Sequence, residues 1–539
     1  MNYRRQQENT HYARYLILAI FILVAAVRII RLARFDIFYD EAMTVYEAVH
    51  WERFFTGRYW FYPPLSGMIH ALWIHFFKSL FGIRLLEALF GLAGVAMAGR
   101  FANRLFEEKT ALATLLIFGL SPFHIYYSRE IRCYAIFSFV AILSWDIFLT
   151  VLRNPSYRTF IVFTLSTTAL FYTNYFSIFI VLSQFTVIWF YHQPVKRKIQ
   201  LSGCMIGAGI LFLPWVSQML WITDRILIKG QSIVPPTTWK TPFIISRALI
   251  AGYAPPEWSG NLFTVLLFAA VIIGFINRHN KQGLMFIGLF LLPFAYCLAV
   301  SLLFDFDFVW ARYLIFLNFP LFIYAAAGMV SCRLPLRLSF IGIAVLFELY
   351  ALNYQYRNVF HRISWDFCVR PRKEWYSSAA FIRDHLQPGD AIGHACNSSY
   401  YPYWFYNTFR NGVTQGEVLD IDGKHLTHLM ELFPLPEQKD DYPDYPVDVD
   451  GFIAGAKRLW FVASEWDIDD PKSFDTHFAR ELKRYLDKRY PVIMYQNFYG
   501  APVILYDLST PLEGSNGNNA ESSTQTDTGT ENRAGNRVK

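Results

Sequence analysis

Long apolar runs dominate the chain, separated by short polar stretches that carry most of its charge. Runs of about 17–25 residues cross a bilayer core as helices, and about eleven can be counted. Seven form a first block near 15–33, 84–101, 110–127, 133–152, 159–172, 175–191 and 201–221. Four form a second, near 262–276, 284–303, 313–330 and 338–354. One further run, 65–80, carries His70, His75 and Lys78 and reads as a helix at the membrane interface.

Sidedness follows from the basic loops. With 65–80 left out, the clusters Arg100/Arg104/Lys109, Arg153/Arg158, Lys196/Arg197/Lys198, Arg278/Lys281 and Arg333/Arg337 share the cytoplasmic side with Arg4, Arg5 and Arg14. Counted as a span, it would turn all five outward. An odd span number then places three polar pieces outside: the first loop 34–83, the loop 222–260, and everything after 354. A cleaved signal peptide fits poorly, because Arg28 and Arg31 follow the first apolar stretch without a small-residue cleavage pattern. They read as arginines snorkelling to the outer headgroups from a retained helix.

Residues 1–354 thus read as a membrane domain and 355–510 as an extracytoplasmic α/β domain. In the latter, a helix over 373–386 stops at Gln387-Pro388-Gly389-Asp390, and a strand follows over 391–394. A strand over 458–463, a helix over 472–489 and closing strands over 491–496 and 503–506 complete it. The tail 511–539, rich in Ser, Asn, Gly, Thr and Glu, cannot bury enough apolar surface to order itself.

Composition supports the polytopic α-helical reading. Of 539 residues, 54% are hydrophobic and only 17% charged, against roughly 45–50% and 25% in soluble domains, which excludes an ordinary cytosolic enzyme. The aromatic share of 18% suits a surface that meets lipid tails and headgroups. A net charge of +7 with no basic block argues against a nucleic-acid partner. The six cysteines show no C-x-x-C spacing, and only Cys368 and Cys396 could pair.

The chemistry gathers in exterior loops. Asp36 and Tyr39-Asp40-Glu41 follow the first span, and adjacent carboxylates there are either the acidic first turn of a helix over 42–50 or a catalytic pair that meets a base, a metal or a substrate hydroxyl. The second loop holds Ser121-Pro122 and Tyr126-Tyr127-Ser128-Arg129-Glu130-Ile131-Arg132-Cys133-Tyr134-Ala135. Two arginines around a glutamate make a phosphate clamp with an internal counter-ion, or merely pair with one another. Arg312-Tyr313 follows Asp305-Phe306-Asp307; Arg312 reads as a further phosphate ligand or an anchor, and the Asp-x-Asp is a weak metal motif. His70 and His75, five apart, read as interfacial polar groups rather than metal ligands. Acids are few within the spans, Asp146 and Glu348 among them, fewer than a carrier with mid-membrane charges would show.

Taken together, the acid pair, Tyr62-Pro63-Pro64-Leu65, the string from Ser121 to Ala135, Phe171-Tyr172-Thr173-Asn174-Tyr175-Phe176 and Arg312-Tyr313-Leu314 resemble a family. The resemblance is to the bacterial relatives of protein O-mannosyltransferases, the glycosyltransferase family 39 and aminoarabinose-transferase-like enzymes of the GT-C fold. It runs from about residue 15 to 354 and is most specific over 128–135.

The resemblance implies an inverting transfer of a sugar from a polyprenyl-phosphate-sugar to an acceptor hydroxyl on lipid A, a glycan or a protein, outside a bacterial inner membrane. It implies Asp40 as catalytic base with Glu41 beside it. Arg129, Glu130, Arg132, Arg312, Tyr62 and Asn174 then bind the donor phosphate or substrate. Tyr62 stands where relatives usually carry His or Lys, and Asn174 where they carry His. No nucleotide cofactor is expected, since no G-x-G-x-x-G follows a strand, and a metal is not indicated. The rival classes are a lipid-linked-sugar carrier or flippase and a non-catalytic envelope assembly protein.

Overall fold

In a hydrocarbon environment every backbone amide must be satisfied within the segment, and the apolar runs accordingly fold as helices. The computed structural model describes residues 2–52, 62–227, 234, 236–277, 280–304, 307–360, 373–394, 397–410, 453–463 and 474–512, and every statement below concerns these. They form two compact units, one holding residues through Tyr376 with the stretch from Tyr401 to Arg410, the other holding Ser377 to Tyr400 and the described stretches after 452.

The first unit is helical. Its elements are α1 (Asn2–Ile29), α2 (Tyr39–Val49), α3 (Pro64–Phe76), α4 (Leu80–Leu105), α5 (Glu108–Gly119), α6 (Pro122–Tyr127), α7 (Tyr134–Arg153), α8 (Tyr157–Thr173), α9 (Ser177–Phe190) and α10 (Val195–Leu227). They continue with α11 (Thr241–Ala251), α12 (Glu257–Ile276), α13 (Asn280–Phe286), which passes through a π turn into α14 (Leu292–Leu303), α15 (Asn318–Ser331) and α16 (Leu334–Tyr356). Six of the described helical stretches are long and apolar enough to cross a membrane. The protein is a multi-pass membrane protein with apolar side chains facing outward, such as Leu213 on α10 and Leu346 on α16, 60% and 69% exposed. The α3 helix has 13 residues, about 20 Å at 1.5 Å per residue, which falls short of a bilayer core.

Helix ends explain several departures from the apolar runs. The run 110–127 breaks at Leu120 and Ser121, where the Ser121 hydroxyl and Pro122 start α6. Gly252, at φ 73°, ends α11 where a Cβ would stand 3.0 Å from that of Pro122. Arg28 does not snorkel: it is fully buried, and its guanidinium donates to the carbonyls of Val24 (3.1 Å) and Gly119 (2.7 Å) and to His124 Nδ1 (3.0 Å). The carbonyl of Gly119 is an orphan acceptor at the end of α5, and a guanidinium suits the negative pole of that helix. Asp146 is likewise structural, accepting from Arg104 at 2.6 Å and Arg100 at 3.3 Å.

Unit 2 contains a four-stranded sheet, β1 (Asp390–His394), β2 (Arg458–Val462), β3 (Val492–Phe498) and β4 (Ala501–Asp507), in the order β1-β2-β4-β3. The β1–β2 pair is parallel and the others antiparallel, with Asp390 opposite Arg458 and Phe461 opposite Ile504. Leu459, Phe461, Ile504 and Tyr506 form its core with Leu482 and Leu486 of α19 (Phe474–Arg489); α17 (Trp375–His385) precedes β1 and α18 (Asn397–Trp404) follows it, and each lies only partly in the sequence of this unit. Cys368, Cys396 and the tail 513–539 lie outside the described residues.

The helices α12 and α15 touch backbone to backbone. A Cβ on Gly328 would overlap the carbonyl oxygen of Ala270, and one on Gly274 that of Tyr324. Such small-residue contacts are how membrane helices approach closely. Gly328→Val is therefore expected to lower stability by about 3 kcal/mol or more, read as the thermal unfolding midpoint of the detergent-solubilised protein; an unchanged midpoint would contradict the packing.

Candidate active site

The first turn of α2 is where the sequence-predicted acids fall, and they separate at once. Phe38 sits extended at the helix start, and Glu41, three residues on, accepts its amide at 3.0 Å, half of a capping box. The same carboxylate accepts Arg84 Nε at 2.9 Å and Nη2 at 2.7 Å, a two-toothed pair, and the Ile131 amide at 3.1 Å. Glu41 is fully buried. Arg84, from α4, also holds the carbonyls of Leu32, Phe35 and Asp36 at 2.8–3.1 Å. One ion pair thus fastens the loop after α1, the start of α2 and the turn before α7 to α4.

Asp40 points the other way. Its Oδ2 lies 3.3 Å from Arg312 Nη1 and 3.6 Å from Arg132 Nη2, while Oδ1 accepts no hydrogen bond among the described residues. Arg132 is held in place by Thr44 Oγ1 (3.0 Å), the Asp40 carbonyl (3.3 Å) and the Tyr62 ring, 5.1 Å below its guanidinium carbon. Arg312 stacks on Trp310 at 3.7 Å and Tyr313 at 5.3 Å. Aromatic faces orient guanidiniums without neutralising them. Two guanidiniums against one carboxylate leave one positive charge in excess, a binding preference for an anion.

A third acid joins this face. Positions 40, 44 and 47 follow i, i+4, i+7 spacing, which puts half-buried Glu47 beside Asp40 and Arg132. Burial, reinforced by Asp40 and opposed by Arg132, pushes its carboxyl up to about 8. Near neutral pH it is mostly protonated and can donate a hydrogen bond. Its signal in the sequence is its spacing from Asp40. Burial also raises the Tyr62 phenol, so it remains a neutral hydroxyl, 3.4 Å from both Arg132 Nη2 and the Tyr134 hydroxyl.

Not every expected ligand faces this cluster. Arg129 donates to the carbonyls of Val27 (3.3 Å), Ile30 (3.1 Å) and Arg31 (2.7 Å) and stacks on Tyr356 at 4.6 Å, so it caps α1 rather than a phosphate. Glu130 is buried in the turn that delivers Arg132, its carbonyl accepting the Arg132 amide at 2.8 Å. Asn174 closes α8: Oδ1 accepts the Phe176 amide at 2.9 Å and Nδ2 reaches Cys133 Sγ at 3.6 Å, which places it behind Arg132. His70 is no interfacial group. It is buried, with Nδ1 donating to the Ser66 carbonyl at 2.7 Å and Nε2 sharing a proton with Glu87 at 2.6 Å. Asp307 accepts the Thr237 amide at 2.7 Å, and Asp305 lies outside the described residues. Among the described residues no three His, Cys, Asp or Glu side chains gather as a metal site.

No family model and no curated protein matches the sequence. Solved structures do match. ArnT from Cupriavidus metallidurans in the apo state superposes with a TM-score of 0.54 at 12% identity, over 90% of this chain and 97% of that one. The same ArnT bound to undecaprenyl phosphate gives the same values. A looser likeness, with a TM-score of 0.45 at 11% identity over 93% of this chain and 76% of the other, links it to the Archaeoglobus fulgidus oligosaccharyltransferase tethered with an acceptor peptide. The chain therefore has the GT-C fold of ArnT, membrane helices followed by a small sheet-containing domain.

Two outcomes check the site. Arg84→Met leaves Glu41 buried without its counter-ion and is expected to cost about 3–5 kcal/mol in chemical or thermal unfolding, whereas a cost under about 1 kcal/mol would remove the pair's structural role. For Glu47 the folded value exceeds the unfolded one, so its contribution is fully present below the unfolded value near 4.5 and is lost as pH rises through about 8. The wild-type midpoint should fall more steeply than that of Glu47→Gln between pH 5 and 8, and parallel curves would contradict the shift.

Proposed function

We propose that the chain transfers a sugar from a polyprenyl-phosphate-sugar to an acceptor hydroxyl, with inversion, on the outer face of a bacterial inner membrane. One observation carries this reading: Asp40 lies between Arg132 and Arg312, and among the described residues its second carboxylate oxygen accepts no hydrogen bond. The fold it shares with an ArnT that binds undecaprenyl phosphate supports a lipid-phosphate donor. The reading with all basic loops on the cytoplasmic side places the site outside.

Charge follows the reaction through. The donor is a phosphodiester with one negative charge, which neutralises the one positive charge in excess on Asp40, Arg132 and Arg312. The acceptor oxygen bonds to the anomeric carbon as the bond from that carbon to the phosphate oxygen breaks. The hydroxyl proton passes to Asp40 Oδ1. The leaving phosphate then approaches two negative charges while Asp40 becomes neutral, so the cluster stays balanced on both sides of the step. Arg132 and Arg312 stabilise the charge that develops on the leaving group. A general acid on that phosphate is not required. Protonated Glu47 orients the acceptor, and Glu41 positions α2 through Arg84. Glu130 and Asn174 support the turn of Arg132, and Tyr62 supports its guanidinium.

A lipid-borne donor needs a site that it can reach from the bilayer. Each buried methylene of a lipid chain contributes about 0.8 kcal/mol, so a long polyprenol reaches the protein laterally.

Sugar transfer from radiolabelled polyprenyl-phosphate-sugars, measured in membranes with endogenous acceptors, should fall about 10²–10⁴-fold in Asp40→Asn at equal expression. Glu130→Gln should keep more activity than Asp40→Asn. Transfer that survives Asp40→Asn would remove the base assignment, and no wild-type product from a broad donor panel would favour a carrier or assembly role.

A further inference from the structure

A second cationic group lies away from Asp40, where α11 meets the start of α12. Arg247 on α11 is 6% exposed, and its Nε and Nη1 have no hydrogen-bond partner among the described residues. Nη2 alone reaches an acceptor, the Pro255 carbonyl at 3.3 Å. The guanidinium lies flat on Gly260, where a Cβ would stand 2.9–3.1 Å from Nη2, Nε and Cζ. A buried guanidinium with unfilled donors is costly unless an anion meets it.

Its neighbour sharpens the conflict. Gly260 belongs to the first turn of α12, a 20-residue helix whose first internal bond runs from the Gly260 amide to the Pro256 carbonyl. The amides of Glu257, Trp258 and Ser259 precede that bond, and the positive pole of the helix points the same way. A cation against the positive end of a helix is the arrangement that helix dipoles oppose. The Ser259 hydroxyl turns to the Pro256 carbonyl at 2.9 Å, and Glu257, the exposed acid of this turn, favours the Arg247 cation from a distance without closing an ion pair on it. Trp258 in the same turn and Trp239 and Phe243 at the start of α11 are 70–77% exposed, and Lys240 stacks over Trp239 at 5.4 Å. Exposed tryptophans beside lysine are the composition of a membrane-interface edge.

We propose that Arg247 and the first turn of α12 bind the phosphate of a membrane lipid, at a site separate from the Asp40 cluster. Helix amides and a guanidinium grip phosphate together, and the flanking aromatic side chains seat the acyl chains. The assignment holds whether or not the chain transfers a sugar.

The test uses the full-length protein in nanodiscs and native mass spectrometry of retained lipid, comparing phosphatidylglycerol with phosphatidylcholine. Wild type should retain phosphatidylglycerol preferentially, Arg247→Gln should lose about tenfold in that preference, equivalent to about 1.4 kcal/mol, and Arg247→Lys should keep most of it. Glu257→Gln removes the exposed acid of the same turn and should strengthen retention, an opposite sign that decides the matter if Arg247→Gln fails to fold. Displacement of phosphatidylglycerol by undecaprenyl phosphate would identify the carrier lipid as the occupant. Displacement by inorganic phosphate alone would identify a free anion and overturn the lipid assignment. Equal retention of both phospholipids by wild type, or unchanged preference in Arg247→Gln and Glu257→Gln, would also overturn it.

Discussion

The buried Glu41–Arg84 pair is the constraint on which the site depends. Removing two charges from water is costly, and such a pair persists only when its geometry and remaining hydrogen bonds are good. Here both conditions hold: the contact is two-toothed, Glu41 also accepts two backbone amides, and Arg84 also donates to three carbonyls. The consequence is directional. With Glu41 turned into the bundle, Asp40, one residue earlier on the helix, turns about 100° away and meets Arg132 and Arg312. Two adjacent acids thus occupy different surroundings without competing for one environment.

The arginines divide in the same way. Arg28, Arg84 and Arg129 donate to backbone carbonyls, including those at the ends of α1 and α5, where helical acceptors have no partner of their own. Arg132 and Arg312 instead lie on aromatic faces, which fix the guanidinium plane and leave its charge for another anion. Arg247 rests on a glycine beside a helix start, with donors unfilled among the described residues. What a membrane arginine can do is therefore decided by whether its donors end on carbonyls, end on a carboxylate or stay partly unfilled among the described residues.

Much of the helical architecture was legible in the apolar runs, because segment length and apolarity are local properties. The small α/β domain was legible for the same reason, through Gln387-Pro388-Gly389-Asp390 and the alternation near Arg458. The site was legible only in part. Asp40, Arg132 and Arg312 stood out as residue types in loops, and the structure brings them together across sequence separations of 92 and 272 residues. Arg129 and Asn174 carried the same chemical signal but are occupied by local helix ends, a fate that depends on where α1 and α8 stop. Arg28 and His70 looked like surface groups because nothing in their own segments supplies the partners they find at Gly119 and Glu87. Arg84 was missed because its partner is 43 residues earlier, and Glu47 because its importance lies in facing Arg132.

Where the donor phosphate rests is the question on which the account turns, and cryo-electron microscopy of the full-length protein in nanodiscs with polyprenyl phosphate answers it. The account predicts phosphate oxygens about 2.7–2.9 Å from the guanidiniums of Arg132 and Arg312, with Asp40 Oδ1 still open beside them and Glu41 still on Arg84. A phosphate bound elsewhere, with Asp40 closed onto both arginines, would contradict it.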